Sequence, residues 1–351
     1  MQYSNTQKRM KKIVLFNHKG GVSKTTSTFH IGWMIAEMGH KVLLVDADPQ
    51  CNLSALFLGE KFDNYYEEEA TSHQNLMDGV RVAFSGQPRP IEPIKCPHAA
   101  RNENLFLIPG HMNLSEYDAQ LNFAFTASTA MLSLQSLPGS FNDLIVKTAN
   151  SIGAEYVFID LNPGLSTINQ DLFLICDAFI MPTNPDTFSL MAIRSLSTIL
   201  PRWVKWKVDN MYLFQSSAYP FPEGTPKFIG EIPQRFNIRN GKATTPYRKK
   251  IDELSEVTRS VFVPEIRKSN MMFEDQDYDR ANIDRNTFIL REIKDFQGLS
   301  PKSLGINVPV YKLTDDELGT GGAVLEGQSG NVKEFYDIYA DIATKIIKVL
   351  Q

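Results

Sequence analysis

The chain has 351 residues, 42% of them hydrophobic and 22% charged, with a formal net charge of −4. This is the composition of a globular protein with ample material for a core, in one large domain or two. It excludes a global basic field, so any contact with nucleic acid must come from a local patch. The cysteines, Cys51, Cys96 and Cys176, are scattered without C-x-x-C spacing, which excludes a disulfide framework and points to a reducing compartment. Residues 1–12 are polar and carry Lys8, Arg9, Lys11 and Lys12, without the apolar stretch of a leader peptide. No run is long enough to span a bilayer, so a cytoplasmic protein is expected.

Residues 13–16, Ile-Val-Leu-Phe, have the length and β-branching of a buried strand. A loop with Gly20 and Gly21 follows, then Lys24, Thr25 and Thr26, then a helix over 27–38 stopped by Gly39. Strand, glycine loop, Lys-Thr and helix is the layout of a phosphate-binding loop, in which backbone amides and the helix N-terminus converge on an anion. Lys24 is placed to reach the outer phosphates and the Thr25 hydroxyl to help hold Mg²⁺. The strict pattern G-x-x-x-x-G-K-S/T is not met, because His18 and Ser23 stand where its glycines belong; a glycine turn opening a helix is the plain alternative. Lys19-Gly20-Gly21-Val22-Ser23-Lys24-Thr25-Thr26, however, resembles the deviant Walker A box of the ParA/MinD family of ATPases. The resemblance implies that these eight residues cradle ATP and that Lys19 crosses a dimer interface to the partner's nucleotide. Ser23 departs from the family's glycine, at a cost of about 1 kcal/mol if its φ must be positive.

Residues 42–45 form a second wholly apolar run, a parallel strand buried on both faces that delivers Asp46 and Asp48 to the ligand-binding edge of the sheet. By resemblance to the family's switch I, Asp48 orients the attacking water and Asp46 lies near the Mg²⁺ shell. Residues 60–100, with Glu67–Glu69 and several prolines, read as an insertion or partner-facing connector. A third strand is expected at 104–108, a helix at 141–151, and a fourth strand from 156 ending in Asp160. An acid at that strand end suits a metal's water shell, and Asp160-Leu-Asn-Pro-Gly164 resembles Walker B with switch II, Asn162 replacing a proline. A fifth strand is expected at 178–182 and a sixth at 212–215, where the resemblance gives Gln215 an amide contact to adenine.

Residues 216–302 read as a second insertion, with helices near 248–261 and 285–295. Between 234 and 250 it carries Arg235, Arg239, Lys242, Arg248, Lys249 and Lys250 with no acid, and Phe236 and Tyr247 interleaved. That is the candidate DNA-phosphate patch, against a plain reading as a solvated loop. Residues 307–312 are expected to be extended near the base, and Gly319–Gly322 a turn. A final helix over 331–350 gathers Phe335, Ile338, Tyr339, Ile342, Ile346 and Val349 on one face. Its polar face balances Glu334, Asp337 and Asp341 with Lys333, Lys345 and Lys348, which favours packing on the sheet over a membrane surface.

These elements predict an α/β fold: a doubly wound, mostly parallel sheet of P-loop NTPase type with helices on both faces. The expectation is one domain over 1–351 with insertions at about 60–100 and 216–302. The family resemblance implies a Mg²⁺-dependent ATPase whose ATP-bound homodimer binds DNA non-specifically in plasmid or chromosome partition, or positions another cargo. It also implies nucleoid association and an activating adaptor of ParB type. With the phosphate loop opening at residue 13, no N-terminal helix-turn-helix domain is expected. Alternatives are an ATPase switch acting on a protein partner and a MinD-like membrane-positioning ATPase, though no stable membrane association is expected. A nitrogenase-iron-protein-like role needs paired cluster cysteines, which Cys51, Cys96 and Cys176 do not supply.

Overall fold

The computed structural model describes residues 10–127, 134–236, 238–239, 242–243 and 245–351; the basic residues Lys8 and Arg9 lie outside these. In chain order the elements are β1 (Lys11–Leu15), α1 (Lys24–Glu37), β2 (Val42–Ala47), α2 (Asn52–Leu58), α3 (Phe62–Glu67), α4 (Leu76–Phe84), β3 (His98–Ala99) and β4 (Asn102–Ile108). Then follow α5 (Asp118–Ala127), α6 (Leu137–Ile152), β5 (Tyr156–Leu161), α7 (Thr167–Leu174), β6 (Ala178–Thr183), α8 (Thr187–Phe214) and β7 (Lys227–Phe236). A small hairpin, β8 (Ile238–Arg239) and β9 (Lys242–Ala243), leads to α9 (Thr245–Val257), α10 (Val263–Lys268), α11 (Asp275–Arg280), β10 (Ile293–Lys294), α12 (Leu299–Gly305), α13 (Asp315–Leu318) and α14 (Gly322–Val349).

Eight strands form one sheet in the order β10-β7-β6-β1-β5-β2-β4-β3, parallel throughout except for β3 against β4. The chain winds from β1 outward through β2 to β4, then returns through β5 and continues past β1 to β6 and β7. The reversal opens a crevice at the carboxyl end of β1, where such sheets bind ligands. Every residue of β2, β5 and β6 is buried, the acids Asp46 and Asp160 included, as largely apolar strands covered on both faces are. Helix α1 packs on β2, β4 and β5 and carries α14. The aromatics Phe16, Phe173 and Trp203, packed in tilted and edge-on contacts, seal α7 and α8 against the sheet.

The expected apolar face of the final helix is the buried face of α14. It closes over His30, whose ring Nδ1 lies 2.7 Å from Thr26 O while Nε2 accepts from Val310 N at 3.2 Å. That pairing requires the neutral ring, and burial pushes its pKa down to about 4. Among the described residues no helix is long and apolar enough to cross a membrane.

Three expectations fail. Residues 212–214 are not a strand but the last turn of α8, a 28-residue helix that continues through Pro201. A short apolar run does not distinguish strand from helix, and Tyr212 is largely exposed. The sixth parallel strand is instead β7, inside the span expected to be an insertion, so residues 216–302 contribute two strands to the main sheet. Residues 285–295 are irregular up to β10, and 310–312 make a 3₁₀ turn rather than a strand. The connector at 60–100 contains α3 and α4.

Candidate functional site

The loop between β1 and α1 lines a cleft of about 590 Å³ with Gly21, Val22, Ser23, Lys24, Thr25 and Thr26. Across it stand Asp48, Gln50 and Asn52 from the segment after β2, Pro163 after β5, Arg235 at the end of β7, and Leu304 and Asn307. Sheet register sets the acids: Asp46 of β2 pairs with Asp160 of β5, which pairs in turn with Leu15 of β1.

The loop is held both by its own residues and by groups from neighbouring strands. Gly21 has φ 73°, and Ser23, the residue before α1, has φ 53° and ψ 36°. The left-handed region is accessible to glycine but costs a serine about 1 kcal/mol. Asn17, which sequence reasoning missed, accepts from Lys19 N (3.0 Å) and donates to Pro182 O (2.9 Å), tying the loop to β6. The Lys24 ammonium folds onto the loop carbonyls Asn17 O (3.0 Å) and Lys19 O (3.4 Å). Burial lowers its pKa, while Asp160 and Asp48 oppose that shift.

The three carboxylates have distinct surroundings. Asp46 accepts from Ser54 N (2.8 Å), Ser54 Oγ (2.6 Å) and Asp48 N (3.2 Å), so its oxygens are committed to bracing the segment after β2. Burial still pushes its pKa up to about 6. Among the described residues the Asp48 carboxylate accepts from Gln50 N alone (2.9 Å), and it faces the cleft. Asp160 is fully buried, and neither oxygen has a partner of hydrogen-bond geometry among the described residues. Burial and the Asp46 carboxylate raise its pKa, against the pull of the Thr25 hydroxyl and the Lys24 ammonium. An orphaned buried carboxylate is costly unless something polar meets it. Together with the Thr25 hydroxyl it suits a hard cation that keeps several waters and shares its shell with phosphates. Asp160 fits that role better than Asp46.

Lys19 lies apart from the cleft floor. Its ammonium pairs with Asp186 (2.5 Å) and Ser189 Oγ (3.2 Å) at the N-terminus of α8. Gln215 is displaced: it caps the opposite end of that 28-residue helix, which is about 40 Å long at 1.5 Å per residue. The glutamine actually at the loop is Gln234, whose amide meets Val22 O and Ser27 Oγ.

The basic run divides. Arg235 lines the cleft and donates to Gly21 O (3.2 Å), which makes it a loop residue rather than part of an outer patch. Arg248 is paired with Asp252 (3.0 Å) and Glu292 (2.7 Å), and Lys250 with Glu253 (2.6 Å). Acids beyond residue 250 thus neutralise charges that looked unopposed in the sequence. Lys249 is exposed, and the side chains of Arg239 and Lys242 lie outside the described residues.

A family model described as an AAA domain matches residues 10–210. The chromosome partitioning protein ParA of Caulobacter vibrioides is 26% identical over 196 residues, covering 55% of this chain and 63% of that protein. The curated relatives matched are covered over only 42% to 63% of their length. Among solved structures, apo McdA of Cyanothece has a TM-score of 0.56 at 22% identity, covering 93% of this chain and 99% of that one. The structure of pNOB8 ParA bound to nonspecific DNA has a TM-score of 0.52 at 17% identity, covering 97% and 98%. At these identities the structures share a fold.

Proposed function

Because the chain belongs to the AAA domain family and is a P-loop ATPase of the ParA/MinD type, we propose that it hydrolyses ATP with Mg²⁺ as a dimerisation switch in DNA partition or cargo positioning. The observation that carries this reading is Asp160, buried without a partner beside Thr25 and Lys24. Mg²⁺, when bound with the nucleotide, offsets the charge that develops on the transferring phosphoryl group. Thr25 and Asp160 are the residues that would hold it. The amides of residues 20–26 and the Lys24 ammonium bind the phosphates. Asp48 accepts a proton-bearing edge of the attacking water and orients it in line with the γ-phosphorus. Lys19 leaves Asp186 for the nucleotide of a second protomer, so that nucleotide state sets assembly. The ATP-bound dimer binds DNA without reading bases, on the nucleoid in the cytoplasm, and an adaptor of ParB type stimulates turnover. The partitioning relative and the DNA-bound neighbour support this role.

Purified protein is expected to release phosphate from ATP only with Mg²⁺, and to become dimeric in light scattering with a non-hydrolysable ATP analogue but not with ADP. It should bind random-sequence duplex DNA in the ATP state alone, more weakly as salt rises. Nucleotide binding without DNA binding in any state would leave a second reading, a switch acting on a protein partner. The ion-paired Arg248 and Lys250 favour that alternative.

A further inference from the structure

Ser23 occupies a left-handed conformation that a glycine would adopt freely. We propose that Gln234, near the end of β7, is the positioning residue that holds the phosphate loop in this conformation and makes a serine workable at position 23. The inference rests on the nucleotide-binding reading above.

Gln234 is 2% exposed, and both ends of its amide are engaged. Nε2 donates to Val22 O at 2.6 Å, and Oε1 accepts from Ser27 Oγ at 3.0 Å. In a trans peptide the carbonyl of Val22 and the N–H of Ser23 point to opposite sides. Anchoring the carbonyl behind the loop therefore aims the Ser23 N–H forward, where an anion is cradled. The neighbouring carbonyl is anchored as well: Gly21 O accepts from Asn184 Nδ2 (3.1 Å) and Arg235 Nη1 (3.2 Å). Ser27 in turn donates its N–H to Ser23 O at 2.9 Å. Val22, Ser23, Ser27 and Gln234 thus close a ring around the strained residue. Gln234 is 207 positions from Ser27, so the loop's shape is imposed from across the sheet rather than by its local sequence.

The test is a double-mutant cycle on the full chain, reading the affinity of a fluorescent non-hydrolysable ATP analogue and the melting temperature of each variant. Gln234→Met keeps the volume and removes both hydrogen bonds. It is expected to weaken binding about tenfold with Ser23 present but only about twofold in the Ser23→Gly background. In turnover the loss should fall on KM more than on kcat. If Gln234→Met does not fold, Ser27→Ala frees the other end of the amide, with an expected loss of about threefold that disappears in the Ser23→Gly background. Equal losses in both backgrounds, with wild type binding normally, overturn this inference alone. A wild type that binds no nucleotide overturns the nucleotide reading and this inference with it.

Discussion

The phosphate-loop side of the sheet and the β7 side use the same residue types in opposite ways. At Gly21, φ is 73° and a Cβ would meet nothing within 4 Å, so that glycine supplies a conformation. At Gly230 of β7 a Cβ would come within 2.6 Å of Phe288 O and 2.8 Å of Leu290 Cδ2, so that glycine supplies space. Buried carboxylates divide the same way. Asp160 has no partner among the described residues, whereas Glu231 accepts from Thr183 Oγ1 at 2.6 Å and Thr258 Oγ1 at 2.7 Å. One side keeps a buried carboxylate without a hydrogen-bond partner among the described residues; the other pairs its own and braces the first through Gln234 and Arg235.

If that division is right, substitutions on the loop side should remove activity and spare the fold. Lys24→Ala is expected to lower ATP turnover by about 10²–10³-fold, the usual scale for removing one preorganised charge at a reacting group. Circular dichroism and the urea midpoint should stay near wild type. An equally large loss of stability would mean that the ammonium mainly holds the loop carbonyls together.

Asp160→Asn comes next. Turnover is expected to fall about 10²-fold and its Mg²⁺ dependence to flatten. The nucleotide-free protein, unfolded in urea at alkaline pH, should be more stable by about 1–2 kcal/mol, because an unpaired buried charge has been removed. Lower activity with higher stability marks a carboxylate kept for a ligand. A loss of both would place Asp160 with Glu231 as a structural acid.

How much could be read from the sequence divides along the same line. Strands β1, β2, β5 and β6 are short apolar runs with the polar loop residues at their ends, so pattern and motif agree. The β7 sequence, KFIGEIPQRF, contains Gly, Glu and Pro, which argue against a central strand, and a Gln. Each is tolerated through a distant contact: Gly230 lies under the 288–290 backbone, Glu231 between two threonines, Pro233 beside Thr183 at the strand end, and Gln234 against the phosphate loop. Long-range pairing also hid the Asp186 partner of Lys19 and the Glu292 partner of Arg248, whereas Asp252 and Glu253 lie one helical turn from Arg248 and Lys250, just past the acid-free run. Asp46 and Asp160 both close apolar strands in sequence, and it is the hydrogen bonds from Ser54 and Asp48 N to Asp46 that make their surroundings differ.

On the β7 side the sign should reverse, with stability lost first. Gly230→Ala forces a Cβ against backbone that is itself fixed by Glu231 N to Phe288 O (2.7 Å) and Leu290 N to Glu231 O (2.9 Å). A cost of about 2–3 kcal/mol is expected in urea unfolding, with nucleotide affinity retained in the protein that remains folded. A neutral outcome would show that residues 288–290 shift freely and that β7 is not the firm brace described here.

Glu231 gives the smallest effect and the most specific one. Burial raises its pKa to about 7 from an ordinary 4.5, with the two threonine hydroxyls opposing the shift. Below pH 4.5 the group is protonated both folded and unfolded and carries no penalty. As pH rises from about 4.5 to 7 the unfolded chain releases the proton first, so stability is lost across that window and levels off above it. Glu231→Gln keeps the shape and can exchange hydrogen bonds with both threonines without a titrating proton. Relative to wild type the variant should therefore match at pH 4.5 and gain on the order of 2 kcal/mol by pH 8. Urea midpoints at the two pH values decide it: curves that stay parallel would mean that Glu231 titrates normally and that the β7 side carries no buried charge of its own.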